Sequence, residues 1–314
     1  MVVKTFCFTL IGGILGCFAQ EKTASNPYFK TYDDKVIASL YYLDVSNNFQ
    51  IVSPNSDGTT TILDLIPNRR EQIGASVSFK IADFSFGYSP KFFDVNKDND
   101  GSKLFNFSTR FIHKKWMQTL SFINQTGFYA SEGAITVPLP DLRSTKIGGV
   151  TSYIFNPNFS FKAIANQKEW QTKSSGSFIP SFSFFYTNLD LNDGSKNPES
   201  DLFEMTISPS YYYNFVINNR VLLSTGLGIG GGISDMDGEI SGIYNFSGSL
   251  KLGYNTDSFF SFVNVNFIAF AQDSDTRVQF NDNVSTLNIA VGYRFDPPKK
   301  VKDAFENSHQ KTGL

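Results

Sequence analysis

Cysteine and histidine are both scarce in this 314-residue sequence. The two cysteines, Cys7 and Cys17, lie in an N-terminal segment that we expect to be removed, so neither a disulfide framework nor a cysteine metal site is predicted. The two histidines, His113 and His309, lie in a lysine-rich turn and near the C-terminus. Neither forms a serine triad or a metal-ligand pattern, so we predict no metal site and no catalytic residue. An enzyme that uses paired carboxylates or serine and lysine is the least favoured function.

Long apolar runs are also rare, because only one occurs, at about residues 6–18, and the mean hydropathy is -0.18. The lack of a second run excludes a helical membrane protein. The run is shorter than the roughly 18 to 20 residues that cross a bilayer, and a small residue follows it. We therefore predict a signal peptide over residues 1–19, cleaved after Ala19. A lipidated Cys17 stays open, because I-L-G-C loosely resembles a lipobox.

The chain has no excess of charge of one sign. The formal net charge is -2 and the sequence pI is about 5.8, and no basic run is interleaved with aromatic residues. We expect no nucleic-acid partner. The roughly 295 residues after the leader contain no linker, which indicates one large domain.

Two motifs that could hold a cofactor or a metal lack the context that this chemistry requires. G-L-G-I-G-G-G at 226–232 has dinucleotide-type glycine spacing, but the pattern after it does not predict a helix. D-V-N-K-D-N-D-G-S at 94–102 begins like a calcium loop, but Phe107 stands where a glutamate is needed. No cofactor is predicted, and the glycines are interpreted as small residues on the inner side of a strand.

Aromatic residues, by contrast, are abundant, with 33 phenylalanines and 14 tyrosines spread through short alternating segments. In S-T-L-N-I-A-V-G-Y-R-F at 285–295, apolar and polar residues occupy opposite faces of an extended chain. Such a pattern fits a soluble sheet or a membrane barrel with its apolar face toward lipid. Similar segments lie near 36–45, 59–66, 72–80, 83–90, 103–112, 116–129, 145–156, 159–167, 177–189, 202–215, 220–231, 240–254 and 258–271.

Short turns and long polar loops connect these segments, as in bacterial outer-membrane barrels. We therefore predict an all-β fold: a single closed antiparallel transmembrane β-barrel of about 12 to 14 strands, located in the outer membrane. Residues 20–34 would be a leader of the mature chain, residues 35–296 the barrel, and residues 297–314 a polar periplasmic tail. Expected partners are outer-membrane lipid and the barrel-insertion machinery.

Four ordered motifs resemble the domain of unknown function 4421 family. They are L-I-P-N-R-R-E-Q-I-G-A-S-V-S-F-K-I-A-D-F-S-F-G at 65–87, P-D-L-R-S at 140–144, Y-I-F-N-P-N-F-S-F-K-A at 153–163 and Q-T-K-S-S-G-S at 171–177. Ser175 departs from the alanine expected there. The resemblance covers roughly residues 35 to 295 and implies an outer-membrane barrel with no assigned activity.

Charged residues on the predicted inner face are the candidate functional residues. They are Lys80, Arg110, Lys162, Lys173, Glu204, Lys251 and Arg294. In an open lumen this basic lining would favour anions, which predicts a porin-like passive pore for small anionic solutes. Alternatively, these side chains form hydrogen bonds and ion pairs inside a closed barrel that binds an unknown protein partner or scaffolds an envelope complex.

Overall fold

The chain folds as an all-β protein in a computed structural model that describes residues 26–79, 82–93, 102–190, 199–273 and 278–300. No helix among these residues has the length and apolar character needed to cross a membrane. The strands are β1 Phe29–Thr31, β2 Val36–Pro54, β3 Thr60–Pro67, β4 Arg70–Phe79, β5 Ala82–Tyr88, β6 Lys103–His113, β7 Trp116–Glu132, β8 Ile135–Tyr153, β9 Glu169–Gln171, β10 Ser175–Phe178, β11 Ser181–Asp190, β12 Glu199–Ser208, β13 Ser210–Asn218, β14 Val221–Met236, β15 Glu239–Asn255, β16 Phe259–Asp273 and β17 Gln279–Phe295. The helix α1 spans Lys162–Ala165.

Ten strands close into an antiparallel ring. Their order is β14, β12, β11, β8, β7, β3, β2, β17, β16, β15 and back to β14. The seam joins the first and last strands of the ring in sequence, since β2 pairs with β17 from Val36 opposite Phe295 to Val52 opposite Gln279. The prediction of a closed antiparallel all-β barrel is confirmed. The count of 12 to 14 strands is not confirmed, because the ring contains ten.

Five further strands extend the sheet toward one end of the barrel, where β2 begins and β17 ends. We call this the terminal end and the opposite end the far end. The first half of β2 pairs with β4, which pairs with β5, and the first half of β7 pairs with β6. The first half of β14 pairs with β13, which pairs with β10. The ring strands therefore change partners about halfway along the barrel.

Local breaks explain why a continuous alternating sequence becomes two strands in three places. Residues 68–69 separate β3 from β4, Pro180 lies between β10 and β11, and Pro209 lies between β12 and β13. Proline has no N–H group to donate to a ladder, so pairing stops there. In β7 the register shifts at Gly127, whose φ of 91° suits a residue without a Cβ.

The apolar faces of the barrel strands point outward. On β17, Val291 and Tyr293 are exposed, whereas Ala290 and Arg294 are buried. On β15, Leu250 is exposed while Lys251 is fully buried. The barrel is thus apolar outside and largely polar inside, which is the reverse of a soluble sheet packed on an apolar core.

One predicted strand is wrong. Residues 159–167 are not part of the barrel wall: they form α1 and its flanking turns inside the barrel. The alternation N-F-S-F-K-A looks like a strand, but Ala163 and Ile164 are consecutive and both buried, which a wall strand with two different faces would not allow. The predicted signal peptide, Lys80, residues 94–101 and the tail from residue 301 lie outside the described residues.

Candidate functional site

A segment between β8 and β10 fills the terminal end of the barrel. We call residues 154–174 the plug. Its main chain is fixed at both sides: the Ile154 N–H donates to the Lys115 carbonyl at 2.7 Å, and β9 pairs with β1 in a separate two-stranded sheet. Buried plug side chains pack on the wall in two clusters, one around Ile179 and one around Leu222. The plug and residues 26–35, which we call the N-terminal arm, therefore lie together in the terminal end of the barrel.

The N-terminal arm is itself tied to the barrel. Lys30 on β1 donates to Asp257, in the turn between β15 and β16, at 2.6 Å. This hydrogen bond lowers the pKa of the Asp257 carboxyl below its ordinary value. The predicted leader of the mature chain thus includes Lys30, which contacts the barrel rim.

Lys251 holds the helix of the plug. Its side chain is fully buried on the inner face of β15, and its Nζ donates to the carbonyls of Ala163 at 2.9 Å and Ile164 at 2.6 Å. The Nζ also lies 4.1 Å from the centre of the Phe262 ring. Carbonyls at the C-terminal end of a helix are left without intrahelical donors, so a cation is stabilised there. Lys251 therefore binds the plug backbone.

Arg294 makes a second connection from β17. Its Nη2 donates to the Gln167 carbonyl at 3.0 Å and its Nη1 to Asn255 Oδ1 at 2.7 Å. The guanidinium lies 3.9 Å from the centre of the Tyr32 ring and 4.7 Å from that of Phe260. The planar cation is thus stacked between two aromatic rings while it binds the plug.

A third connection uses amides, which the sequence reasoning missed. Asn214 on β13 donates through Nδ2 to the Ser160 carbonyl and to Gln171 Oε1, both at 3.0 Å. Gln171 donates in turn to the Asn158 carbonyl at 2.7 Å and the Tyr28 carbonyl at 3.1 Å. Both amides are fully buried. Neutral amides have no charge signal in the sequence, and only the path of the plug shows their role.

A buried ion cluster lies on the inner wall beyond the plug. Lys146 on β8 forms ion pairs with Glu204 on β12, at 3.2 Å, and with Asp282 on β17. All three side chains are at most 3% exposed. The Lys146 ammonium also lies 4.9 Å from the Phe185 ring centre and 5.2 Å from that of Phe270. Charges buried to this extent are tolerated only when they are paired.

An apolar cluster fills the lumen toward the far end. Phe49 and Phe280 have ring centres 5.2 Å apart, and Phe128 lies beside Phe49 at 6.3 Å. The other buried members are Leu65, Leu142, Leu189 and Leu202. The plug, the ion cluster and the apolar cluster therefore follow one another along the interior from the terminal end toward the far end.

The predicted lumen charges lie in different parts of the structure. Glu204, Lys251 and Arg294 are buried on the inner face, as described above. Lys162 lies on α1 of the plug, 3.1 Å from Glu169 Oε1, and Lys173 follows β9 with its Nζ 5.4 Å from the Tyr28 ring centre. Neither of these two lysines belongs to the barrel wall, because both lie in the plug.

Two members of the ion cluster escaped the sequence reasoning for identifiable reasons. Asp282 lies between the predicted strands 258–271 and 285–295, but β17 begins at Gln279 and includes it. Lys146 was inside a predicted strand, where its alternation with Gly148 and Ser152 already placed it on the polar face. That alternation was the signal that could have identified it.

Arg110 lies on the inner face of β6. It alternates with the exposed Phe107 and Phe111, and its Nε donates to Thr119 Oγ1 at 3.0 Å. The guanidinium carbon lies 5.4 Å from the Phe161 ring centre, so the side chain borders the plug. Unlike the other wall charges described above, it is exposed rather than buried.

The sequence matches the family described as Domain of unknown function (DUF4421) over residues 25–295. No curated protein matches the sequence. Among solved structures, OmpT, an outer membrane protein of Vibrio cholerae, is 10% identical, with 88% of this chain and 100% of that chain covered and a TM-score of 0.31. The COG4313 outer membrane channel from Pseudomonas putida F1 is 8% identical, with 87% and 100% covered and a TM-score of 0.30. OprG from Pseudomonas aeruginosa is 11% identical, with 82% and 96% covered and a TM-score of 0.23.

Proposed function

Because the chain belongs to the DUF4421 family, whose description assigns no activity, we propose a function from its own geometry: it is an outer-membrane β-barrel held closed by its plug. In this proposal the barrel anchors or scaffolds an envelope complex rather than conducting solutes. The observation that carries it is the fully buried Lys251, which binds two carbonyls of the plug helix.

The outer surface supports a membrane location. Exposed large apolar side chains occur on strand after strand, whereas soluble monomers rarely expose contiguous apolar patches larger than a few hundred Å². Aromatic residues stand near the terminal end, including Trp116, Tyr254 and Tyr293. Tyr244, nearer the far end, donates to Asp273 at 3.1 Å. Aromatic residues at both borders of an apolar band are typical of outer-membrane barrels, and the predicted signal peptide provides the route of export.

The packing of side chains inside the barrel supports anchoring over passive flow. A passive pore needs a continuous aqueous path, but the plug, the ion cluster and the apolar cluster occupy successive parts of the interior. Each of the three is stabilised by its own contacts, so opening the path requires several buried groups to lose their partners at once. Such losses cost about 1–3 kcal/mol for each unsatisfied polar group.

A passive pore for small anionic solutes is the second candidate. The observation that favours it is Arg110, a cation that is exposed on the inner face. It would require either a passage beside the plug or release of the plug.

We also propose a number of strands for the barrel wall. The fifteen strands of the main sheet become twelve wall segments when each pair separated by a local break, β3 with β4, β10 with β11 and β12 with β13, is counted as one kinked strand. Twelve is an even number, as in bacterial single-chain barrels. It lies at the lower limit of the sequence prediction.

Conductance in a planar bilayer tests the function. The full chain is purified in detergent, checked for heat-modifiable migration and reconstituted beside Lys251→Met and Lys300→Met variants. We expect the native protein to be silent and Lys251→Met to show brief openings, because loss of the ammonium leaves two buried carbonyls unpaired. Lys300→Met is the matched control, since Lys300 is exposed beyond β17. Steady conductance steps of the folded native protein would refute closure.

A further inference from the structure

Arg110 differs from Lys146, Lys251 and Arg294, the three other cations of the inner wall described above. Lys146 is paired with carboxylates, and Lys251 and Arg294 are buried against plug carbonyls. Arg110 instead uses only its Nε, toward Thr119, and no carboxylate contacts it among the residues that the structure describes. A guanidinium has five N–H donors, so four remain for an external acceptor. The side chain is accessible, which allows such an acceptor to reach it.

Hydroxyl groups surround this position on the inner wall. In the ladder between β6 and β7, Arg110 is opposite Thr119 and Ser108 is opposite Ser121. These residues alternate with outward-facing phenylalanines, so they share the inner face with Arg110. Hydroxyl groups both donate and accept hydrogen bonds and can therefore adjust to a polar occupant.

A second hydroxyl row lines the inner face on the neighbouring part of the terminal end. Ser39 on β2 is opposite Ser76 on β4, and Ser76 is opposite Ser85 on β5. The Oγ atoms of Ser39 and Ser76 are 2.7 Å apart. These hydroxyl groups can donate and accept hydrogen bonds, as can those beside Arg110.

We propose that Arg110, together with Ser108, Thr119 and Ser121, forms a binding site for a small oxyanion, a phosphate or a carboxylate. The planar guanidinium matches both groups through two parallel N–H donors, and the hydroxyls supply further donors. The occupant would lie beside Phe161 of the plug, whose ring is already next to the guanidinium. This binding role goes beyond closure of the barrel and does not require conduction.

NMR of the Arg110 side chain tests the site directly. The full chain is labelled with 15N-arginine in detergent micelles, and the Nε–H signal of Arg110 is identified by its loss in Arg110→Gln. Inorganic phosphate, acetate and uncharged sucrose are then titrated at constant ionic strength. We expect saturable shifts with phosphate or acetate and none with sucrose. The stronger of the two anions identifies the ligand class.

Variants separate a specific site from general attraction. Arg110→Lys keeps the charge but loses the planar fork, and we expect its phosphate or acetate binding, measured by calorimetry, to weaken about tenfold or more. Arg220→Gln removes an exposed arginine from a turn at the same end and should leave binding unchanged. Equal binding by native protein and Arg110→Gln, or no saturable shift in the folded native protein, would overturn the site. The result is independent of the conductance test, since a conducting barrel could still bind the anion and a silent one could fail to bind it.

Discussion

Lys146 and Asp282 form an ion pair between β8 and β17, two strands that are not neighbours in the ring. Glu204 on β12 joins the same ammonium, so one lysine connects three separate parts of the wall. A hydrogen-bonded ladder links only adjacent strands, and this cluster supplies a connection across the lumen. It gives the barrel an internal brace at the level where several strands change partners.

Removing the lysine from this brace should destabilise the barrel strongly. Lys146→Met leaves two buried carboxylates without their cation, and we expect a loss of about 3–5 kcal/mol in the free energy of unfolding. The measurement is urea unfolding in detergent, followed by heat-modifiable migration. Lys300→Met, at an exposed position, is the control. The triple variant Lys146→Met, Glu204→Gln, Asp282→Asn should recover part of the loss, and equal stability of Lys146→Met and native protein would show that the brace is dispensable.

Loss of Asn214 should loosen the plug without opening the wall. In Asn214→Ala the Ser160 carbonyl and Gln171 Oε1 lose a donor, which costs about 1–3 kcal/mol for buried groups. We expect faster hydrogen exchange of plug amides and unchanged exchange in β14–β17. Asn124→Ala is a matched control, since Asn124 makes a similar side-chain hydrogen bond to Thr145 outside the plug. Unchanged plug exchange in Asn214→Ala would contradict the proposed role.

Two glycines of β14 provide a packing test, Gly226 on the inner face and Gly231 on the outer face. A Cβ at Gly226 would overlap the ring of Tyr212, which packs against Phe161 of the plug at a ring distance of 5.3 Å. We expect Gly226→Ala to destabilise the folded barrel by about 1–3 kcal/mol. A Cβ at Gly231 meets only the Ile243 carbonyl, at 3.5 Å, so Gly231→Ala serves as the control on the same strand. Equal unfolding midpoints for the two variants would disprove this packing.

If the outer face of β17 contacts lipid, the cost of placing an arginine there should depend on its depth in the membrane. Val291→Arg places a charge within the apolar band, and we expect insertion into lipid vesicles to be less favourable by about 2–4 kcal/mol. Asn283→Arg lies on the same face of β17 but nearer the far end, at an exposed polar position, and should cost about 0–1 kcal/mol. Folding yield in vesicles measures both. Similar yields for both variants would argue against a lipid-facing band.

Export can be checked from the N-terminus of the protein in cells. Mass spectrometry of the protein isolated from membranes should give a chain that begins at Gln20, as cleavage after Ala19 requires. A lipidated N-terminal Cys17 would select the alternative that the sequence leaves open. A protein that still begins at Met1 would contradict the predicted signal peptide.

The sequence predicted the fold class well because the two-residue alternation of a strand such as 285–295 is a strong local signal. It also placed Glu204, Lys251 and Arg294 on polar faces, for the same reason. The plug could not be predicted, because residues 159–167 carry the same alternation as a wall strand and only long-range contacts decide where they lie. The partners of Lys251 are backbone carbonyls, which no side-chain pattern reports.

The breaks within strands also could not all be predicted from the local sequence pattern. Pro209 marks one of them visibly, but the change of partner at residues 68–69 depends on where β7 lies in the closed ring. For this chain, the number of strands indicated by sequence alternation therefore differs from the number defined by hydrogen-bonded pairing.

The seam between Val36 and Phe295 also has a consequence for the order of assembly. One edge of β2, the first ring strand, can pair only after β17, the last strand, has been synthesised. The contact that closes the ring therefore has nearly the largest sequence separation that the barrel allows. Until then, β2 and β16 present unpaired edges that can join other chains. Long-range pairing of this kind folds slowly and exposes the intermediate to aggregation. A chain truncated before β17 would therefore remain an open sheet. A chaperone that protects the edges of β2 and β16 during export would have to bind the chain before the ring closes.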